Sequence, residues 1–176
     1  LTERVSRYWV PLRYEDLPPD TVRLAKRFLI DTLAAGIAGS GTPEALAVLR
    51  AAKAGVEGAA GSGVVWGHAT TLPPPQAAMV NGTSTHALEL DDFGGCGHPG
   101  AVVVPVVCAL AGRGGISGMQ ALVAMIAGYD LAARVLEGAG GYRSHNESGW
   151  HSTATCGSFG AACASAKLLG LDASRF

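Results

Sequence analysis

The sequence predicts an all-α domain. Three observations carry that reading: apolar residues recur at helical spacing through several long segments, prolines and capping residues punctuate those segments, and small residues are frequent enough for helices to approach closely. At 176 residues, with 48% hydrophobic content, the chain is long enough for one domain with a real core, so a single unit over 1–176 is expected.

Pro18 and Pro19 stop the chain and Asp20 reads as an N-cap, after which Val22, Ala25, Phe28, Leu29, Leu33 and Ile37 share a helical face. Glycines in 36–41 end that helix. Thr42, Pro43 and Glu44 restart one as cap, N1 proline and first-turn acid, running to about residue 54. Residues 55–71 read as irregular, with 64–66 a short extended piece, and the prolines of 73–75 lead into a helix expected over 76–90. The glycines of 94–97 break the chain. A helix is expected over 101–111, with Pro105 bending it or setting its first turn. Ser117 caps a long helix carrying Leu122, Met125, Ile126, Tyr129 and Val135. Residues 138–149 read as a polar loop, and a last helix over 154–169 is stopped by Gly170 and has a small face at Gly157, Gly160, Ala161 and Ala164.

Composition excludes several functions. A net charge of −1 without a basic run leaves no electrostatic footprint for nucleic acid. The first thirty residues lack a signal-peptide core and no uninterrupted apolar run reaches the ~18 residues of a membrane span, so no membrane association and a cytoplasmic location are expected. The four cysteines, 96, 108, 156 and 163, have neither CxxC nor zinc spacing and read as reduced thiols. Only 15% of residues are charged, which suggests an apolar surface covered by another copy or by a missing part of the same polypeptide; a homodimer is expected. No GxGxxG follows a strand and no Walker pattern occurs, so no nucleotide cofactor is expected.

Titratable residues gather in two places. The segment 81–105, NGTSTHALELDDFGGCGHPGAVVVP, brings His86, Glu89, Asp91, Asp92 and His98 around a glycine-rich break. About fifty residues later, GWHSTATCGSFGAA places His151 before another helix. His98 and His151 each sit at a helix start, where free backbone amides favour a carboxylate and the dipole favours a neutral imidazole able to act as a base. Of Glu89, Asp91 and Asp92, one that is buried would have a raised pKa and could donate a proton, whereas solvated acids would be a polar loop edge; Asp92, nearest the loop to His98, is the first choice of the three and the acid expected to orient a histidine. Glu89, Asp91, Phe93 and Thr153 are candidate substrate contacts. Cys96 has no activating base beside it in sequence and reads as a spectator thiol. A metal set of His86, Asp91 or Asp92, and His98 is disfavoured, because the order is His-x-x-Glu rather than Glu-x-x-His; no metal is expected.

The blocks NGTSTHALELDD, HPGAVVVP, GYDLAARV and GWHSTATCGSFGAA with AKLLGLD, together with the N-terminal YEDLPPDTVRLAKRFLIDTLAAGIAGS, resemble the MmgE/PrpD family in order and spacing over nearly the whole chain. The resemblance implies the large helical domain of that fold, with a smaller α+β domain expected downstream of Phe176. It implies a small polycarboxylate substrate and no metal or organic cofactor. Dehydration of a 2-hydroxy tricarboxylate such as 2-methylcitrate leads, with epimerisation of iminodisuccinate or decarboxylation of cis-aconitate as alternatives. His98 matches the histidine of the family's first HP block and His151 that of its second, and Asp92 falls at the aspartate that contacts substrate. Ser152 replaces the common proline, and Glu89 with Phe93 stands where some members have aspartate and threonine. A different class of reading is a non-catalytic fragment or oligomerisation module.

Overall fold

A computed structural model describes residues 2–56 and 59–176; residues 57 and 58 of the irregular stretch expected over 55–71 lie outside the described residues. The described residues form eight α-helices and one two-stranded antiparallel sheet. In chain order they are α1 Thr2–Trp9, α2 Pro19–Gly39, α3 Pro43–Ala54, β1 Gly63–Val64, β2 Thr71–Leu72, α4 Pro74–His86, α5 Pro99–Ala111, α6 Gly118–Gly138, α7 Gly141–Glu147 and α8 Ser152–Leu168. The all-α expectation holds.

α5 lies at the centre and packs against α2, α4, α6 and α8. Its Val103, Val104 and Val107 are buried with Trp66, Ala124, Met125 and Ala164. Pro105 sits inside this helix, so it cannot donate to the carbonyl of Ala101 four residues earlier. Gly82 of α4 passes so near that carbonyl that a Cβ there would lie 2.7 Å from its oxygen. α4 and α5 are thus brought together at the point where the histidine-bearing ends of both helices meet.

Punctuation behaves largely as read. The Thr42 side chain accepts from Ala45 N–H, and Ser117 with Gln120 forms a capping box on α6. Asp20 does not cap α2: Pro18 is the N-cap, Pro19 fills N1, and Asp20 falls in the first turn, where its charge meets the helix dipole. The short sheet is held by Asn81, fully buried, whose side chain accepts from Trp66 N–H and donates to Val64 O. α1 escaped the sequence reading because it is charged and short. It is tied down by Lys167 of α8, whose ammonium donates to the carbonyls of Trp9, Val10 and Leu12 at 2.7, 3.2 and 2.9 Å; burial lowers that amine's pKa.

One further expectation changes. Residues 138–149 are not all loop, since Gly140, at φ +97°, redirects the chain into α7. α6, at 21 residues, is long and apolar enough by length and composition to cross a membrane. In this fold it is a core helix, burying Leu122 to Met125, Ala127, Gly128, Ala132 and Leu136.

Candidate functional site

The end of α4 and the starts of α5 and α8 bring three histidines together. α4 stops at His86, four residues before its expected end, because Glu89 adopts a left-handed backbone at φ +51°, the sole positive φ outside glycine among the described residues. That conformation is disfavoured for a residue with a Cβ by roughly 1–2 kcal/mol. It turns the chain so that Asp91 points back under His86. The glycine turn follows, closed by Gly94 N–H to Gly97 O at 2.7 Å and Gly97 N–H to Gly94 O at 2.8 Å. Gly97 is at φ +114°, and a Cβ there would meet Thr153 Oγ1 at 2.4 Å. His98 is then the N-cap residue of α5 and His151 that of α8, as their sequence positions suggested.

The ring centre of His86 lies 4.5 Å from that of His98 and 6.1 Å from that of His151. Asp91 sits behind the first pair, with Oδ1 3.2 Å from His86 Nδ1 and Oδ2 3.3 Å from His98 Nδ1. The first is a hydrogen bond; the second is an ion-pair distance without hydrogen-bond geometry. Glu89 covers the other side, Oε1 3.4 Å from His86 Nε2 and Oε2 3.7 Å from His98 Nε2. Phe93 is exposed and stands edge-on to His98 with ring centres 5.3 Å apart, and to Tyr142 of α7 at 5.4 Å. His86 and His151 open onto a cleft of about 740 Å³ floored by apolar residues of α4, α5 and α8, with no lysine or arginine in its lining.

The residue that orients the imidazoles is Asp91, not Asp92. Asp92 turns the other way, into the N-terminus of α5, where its Oδ1 accepts from Gly100 N–H at 3.0 Å. The anion site expected at this helix start is therefore filled by the protein's own carboxylate. Burial pushes the Asp92 carboxyl from the ordinary 3.8 up to about 6, opposed by the Tyr129 hydroxyl and Gly100 N–H and reinforced by Asp91 and Asp31. Tyr129 Oη and Thr32 Oγ1 are buried beside it without a well-formed hydrogen bond of their own. Asp91, expected to touch substrate, has a side chain with no exposed surface. Thr153, expected in the same role, is buried, and its hydroxyl accepts from His98 N–H at 3.0 Å. Asp91 is placed to support the histidines from behind, while Thr153 braces His98 and also lines the cleft beside His86 and His151.

A carboxyl whose folded pKa stands above its unfolded value stabilises the fold fully below about pH 4 and loses that contribution as pH rises to about 6. Asp92→Asn keeps an acceptor for Gly100 N–H and removes the buried charge. It is expected to raise stability at pH 7 by roughly 1–3 kcal/mol, discounted for partial exposure, and to flatten the change between pH 4 and 6. Urea denaturation across that range measures both; an unchanged pH slope rules out Asp92 as its source.

Cys96 is buried against Ala132, Leu136 and Cys156, and burial drives its thiol up to about 11, which leaves it a spectator. His145 and His68 stand apart from the cluster, bonded to Thr155 Oγ1 and to Ser40 O. The member that spacing alone undervalued is His86, grouped with the titratable residues of 81–105 but given a role of its own only as a metal ligand; its place three residues before Glu89 on one helix end was the available signal.

The family model of the MmgE/PrpD N-terminal domain matches residues 3–176. The chain belongs to the MmgE/PrpD family. It is 34% identical to a cis-aconitate decarboxylase-like protein, oryM, of Aspergillus oryzae over 98% of this chain and 37% of that protein. It is 31% identical to the cis-aconitate decarboxylase of Homo sapiens over 99% of this chain and 37% of that enzyme, and 30% identical to that of Mus musculus over 92% and 34%. The chain thus spans little more than a third of the length of these relatives.

Proposed function

We propose that this domain contributes the acid–base histidines of a polycarboxylate lyase, with decarboxylation of cis-aconitate or a close analogue as its reaction. The observation that carries the reading is the grouping of His86, His98 and His151, from three helix ends, beside two carboxylates, with His86 and His151 opening onto the cleft. Loss of CO₂ from an unsaturated tricarboxylate leaves an electron pair spread over the adjoining double bond and carboxylate. An imidazolium poised over the cleft donates a proton to the carbon that takes up this pair, and the neutral imidazole is then reprotonated from solvent. His151 is solvent-exposed at the mouth, which suits that exchange, and Asp91 holds His98 and His86 in place. The names of the relatives favour decarboxylation over the 2-methylcitrate dehydration expected from sequence. Dehydration needs the same parts in another order: a base for the α-proton and an acid for the leaving hydroxyl.

Proton NMR of the folded chain in D₂O with cis-aconitate, 2-methylcitrate, citrate and iminodisuccinate, with saturation transfer for binding, separates these reactions. New vinylidene signals and loss of cis-aconitate support decarboxylation. Turnover of 2-methylcitrate alone replaces it with dehydration, and neither turnover nor saturation transfer for any of the four overturns the lyase reading.

A further inference from the structure

The cleft beside the histidines is more apolar than a small polycarboxylate can use. Its groups suited to an anion are the rings of His86 and His151, 6.1 Å apart, and the Thr153 hydroxyl, where α4 ends and α8 begins. Apart from the histidines, the one ionisable side chain in the lining is Glu44, an acid. The remaining wall is largely aliphatic, with Ala78 and Met79 of α4, Val102 and Val106 of α5 and Ala154 of α8. A tricarboxylate spread over this wall would set charge against apolar carbon, with no cation to offset its lost hydration. Held at the histidines, it leaves the wall bare.

That wall continues beyond the cleft. Pro75, Ala78 and Val106 also line an adjoining cavity of about 460 Å³, which extends to Leu110 and Arg113 at the C-terminal end of α5. Val102, Val106 and Leu110 follow one another at four-residue spacing, a stripe of about 12 Å along α5. All three are only partly buried, whereas Val103, Val104 and Val107 on the other faces of the helix are covered. Ala78 of α4 and Ser165 of α8 flank the stripe with side chains too short to cover it. A trough apolar over this length, and joined at one end to the histidines, matches an amphiphile whose charged head stays at the imidazoles while its tail lies on the stripe. A protein helix, about 10 Å across, laid in the same trough would fill the cleft onto which His86 and His151 open.

We propose that the site takes a polycarboxylate carrying an unbranched alkyl chain of propyl length or longer, with its carboxylates at His86, His151 and Thr153 and its chain along Val102, Val106 and Leu110. That such a compound is turned over rests on the proposed function; the binding of its chain does not.

Calorimetric titration of the folded chain with cis-aconitates bearing methyl, butyl or hexyl on the methylene carbon tests the chain site. Partial burial of each added methylene is expected to tighten Kd about two- to fourfold, so that butyl binds roughly 8–60-fold more tightly than methyl. Ala78→Leu, which narrows the passage between the two cavities, is expected to abolish the gain of hexyl over methyl. Leu110→Ser, farther along the stripe, is expected to cut that gain at least about threefold. Each gain is a ratio of two Kd values measured on one variant, so a loss of folded protein does not alter it. A butyl compound within about twofold of methyl, or a hexyl gain equal to the parent's in both variants, overturns the chain site. Turnover of the same compounds is followed by NMR. A Kd that tightens with chain length, without turnover of any member, keeps the chain site and removes the lyase reading; turnover with a Kd indifferent to chain length does the reverse.

Discussion

Replacing His151 with alanine is expected to lower turnover of whichever polycarboxylate the NMR comparison identifies by roughly 10²–10⁴-fold, the usual worth of a positioned general acid or base. The fold should barely register the change. The side chain is exposed and makes no hydrogen bond, so its loss removes chemistry without removing packing. His98 is a harder test, because its ring lies beside the buried Asp91 carboxylate and its deletion leaves that group short of a partner. His98→Ala is expected to lose activity on the same scale and to destabilise by roughly 1–3 kcal/mol. His98→Asn separates the two effects: its amide N–H stands where Nδ1–H does, and it has nothing in place of Nε2. Recovery of stability without recovery of turnover assigns Nε2 to the chemistry. A His151→Ala variant within about threefold of the parent takes His151 out of the reaction and leaves the His86–His98 pair to carry it.

The parts of this architecture readable from sequence are those governed by local chemistry. Thr42–Pro43 and the Ser117 capping box satisfy the free amides of the helices they open, whatever packs around them, and so mark α3 and α6 directly. His98 and His151 were legible as helix-start residues for the same reason. α7 was not: GYRSHNE has no apolar stripe, and its seven residues form a helix only because Gly140 turns the chain and Asn146 and His145 bond to Ser152 and Thr155 of α8. The exchange of roles between Asp91 and Asp92 has a related cause. Adjacent residues point to different sides, and which side faces the histidines was decided at Glu89 by a left-handed turn that a glutamate rarely takes. Nothing in spacing announces it, and the whole polarity of the site depends on it.

Gly160→Val is expected to be strongly damaging although it lies outside the site, because it strikes the contact that fixes where α8 places His151. α6 and α8 form the most extensive helix pair in the domain. They cross glycine to glycine: a Cβ on Gly160 would lie 2.5 Å from Gly128 O, and a Cβ on Gly128 would lie 2.8 Å from Gly160 O. The clashing atoms are backbone on both sides, so neither can rotate away, and the helices must separate. Overpacking of that kind costs roughly 1–3 kcal/mol for Gly160→Ala, even against a helix-propensity gain of up to ~1 kcal/mol, and more for the branched valine. For a domain of this size the alanine variant should melt roughly 2–12 °C lower. Gly138→Ala is the control. It is the last residue of the same α6, a Cβ there meets nothing within 4 Å, and only the propensity gain remains, so its melting temperature should hold or rise. If the two variants melt alike, the α6–α8 crossing is not held by its glycines. If they part as expected and Gly160→Ala also loses turnover beyond its loss of folded protein, the crossing is shown to position His151 as well as to stabilise the fold.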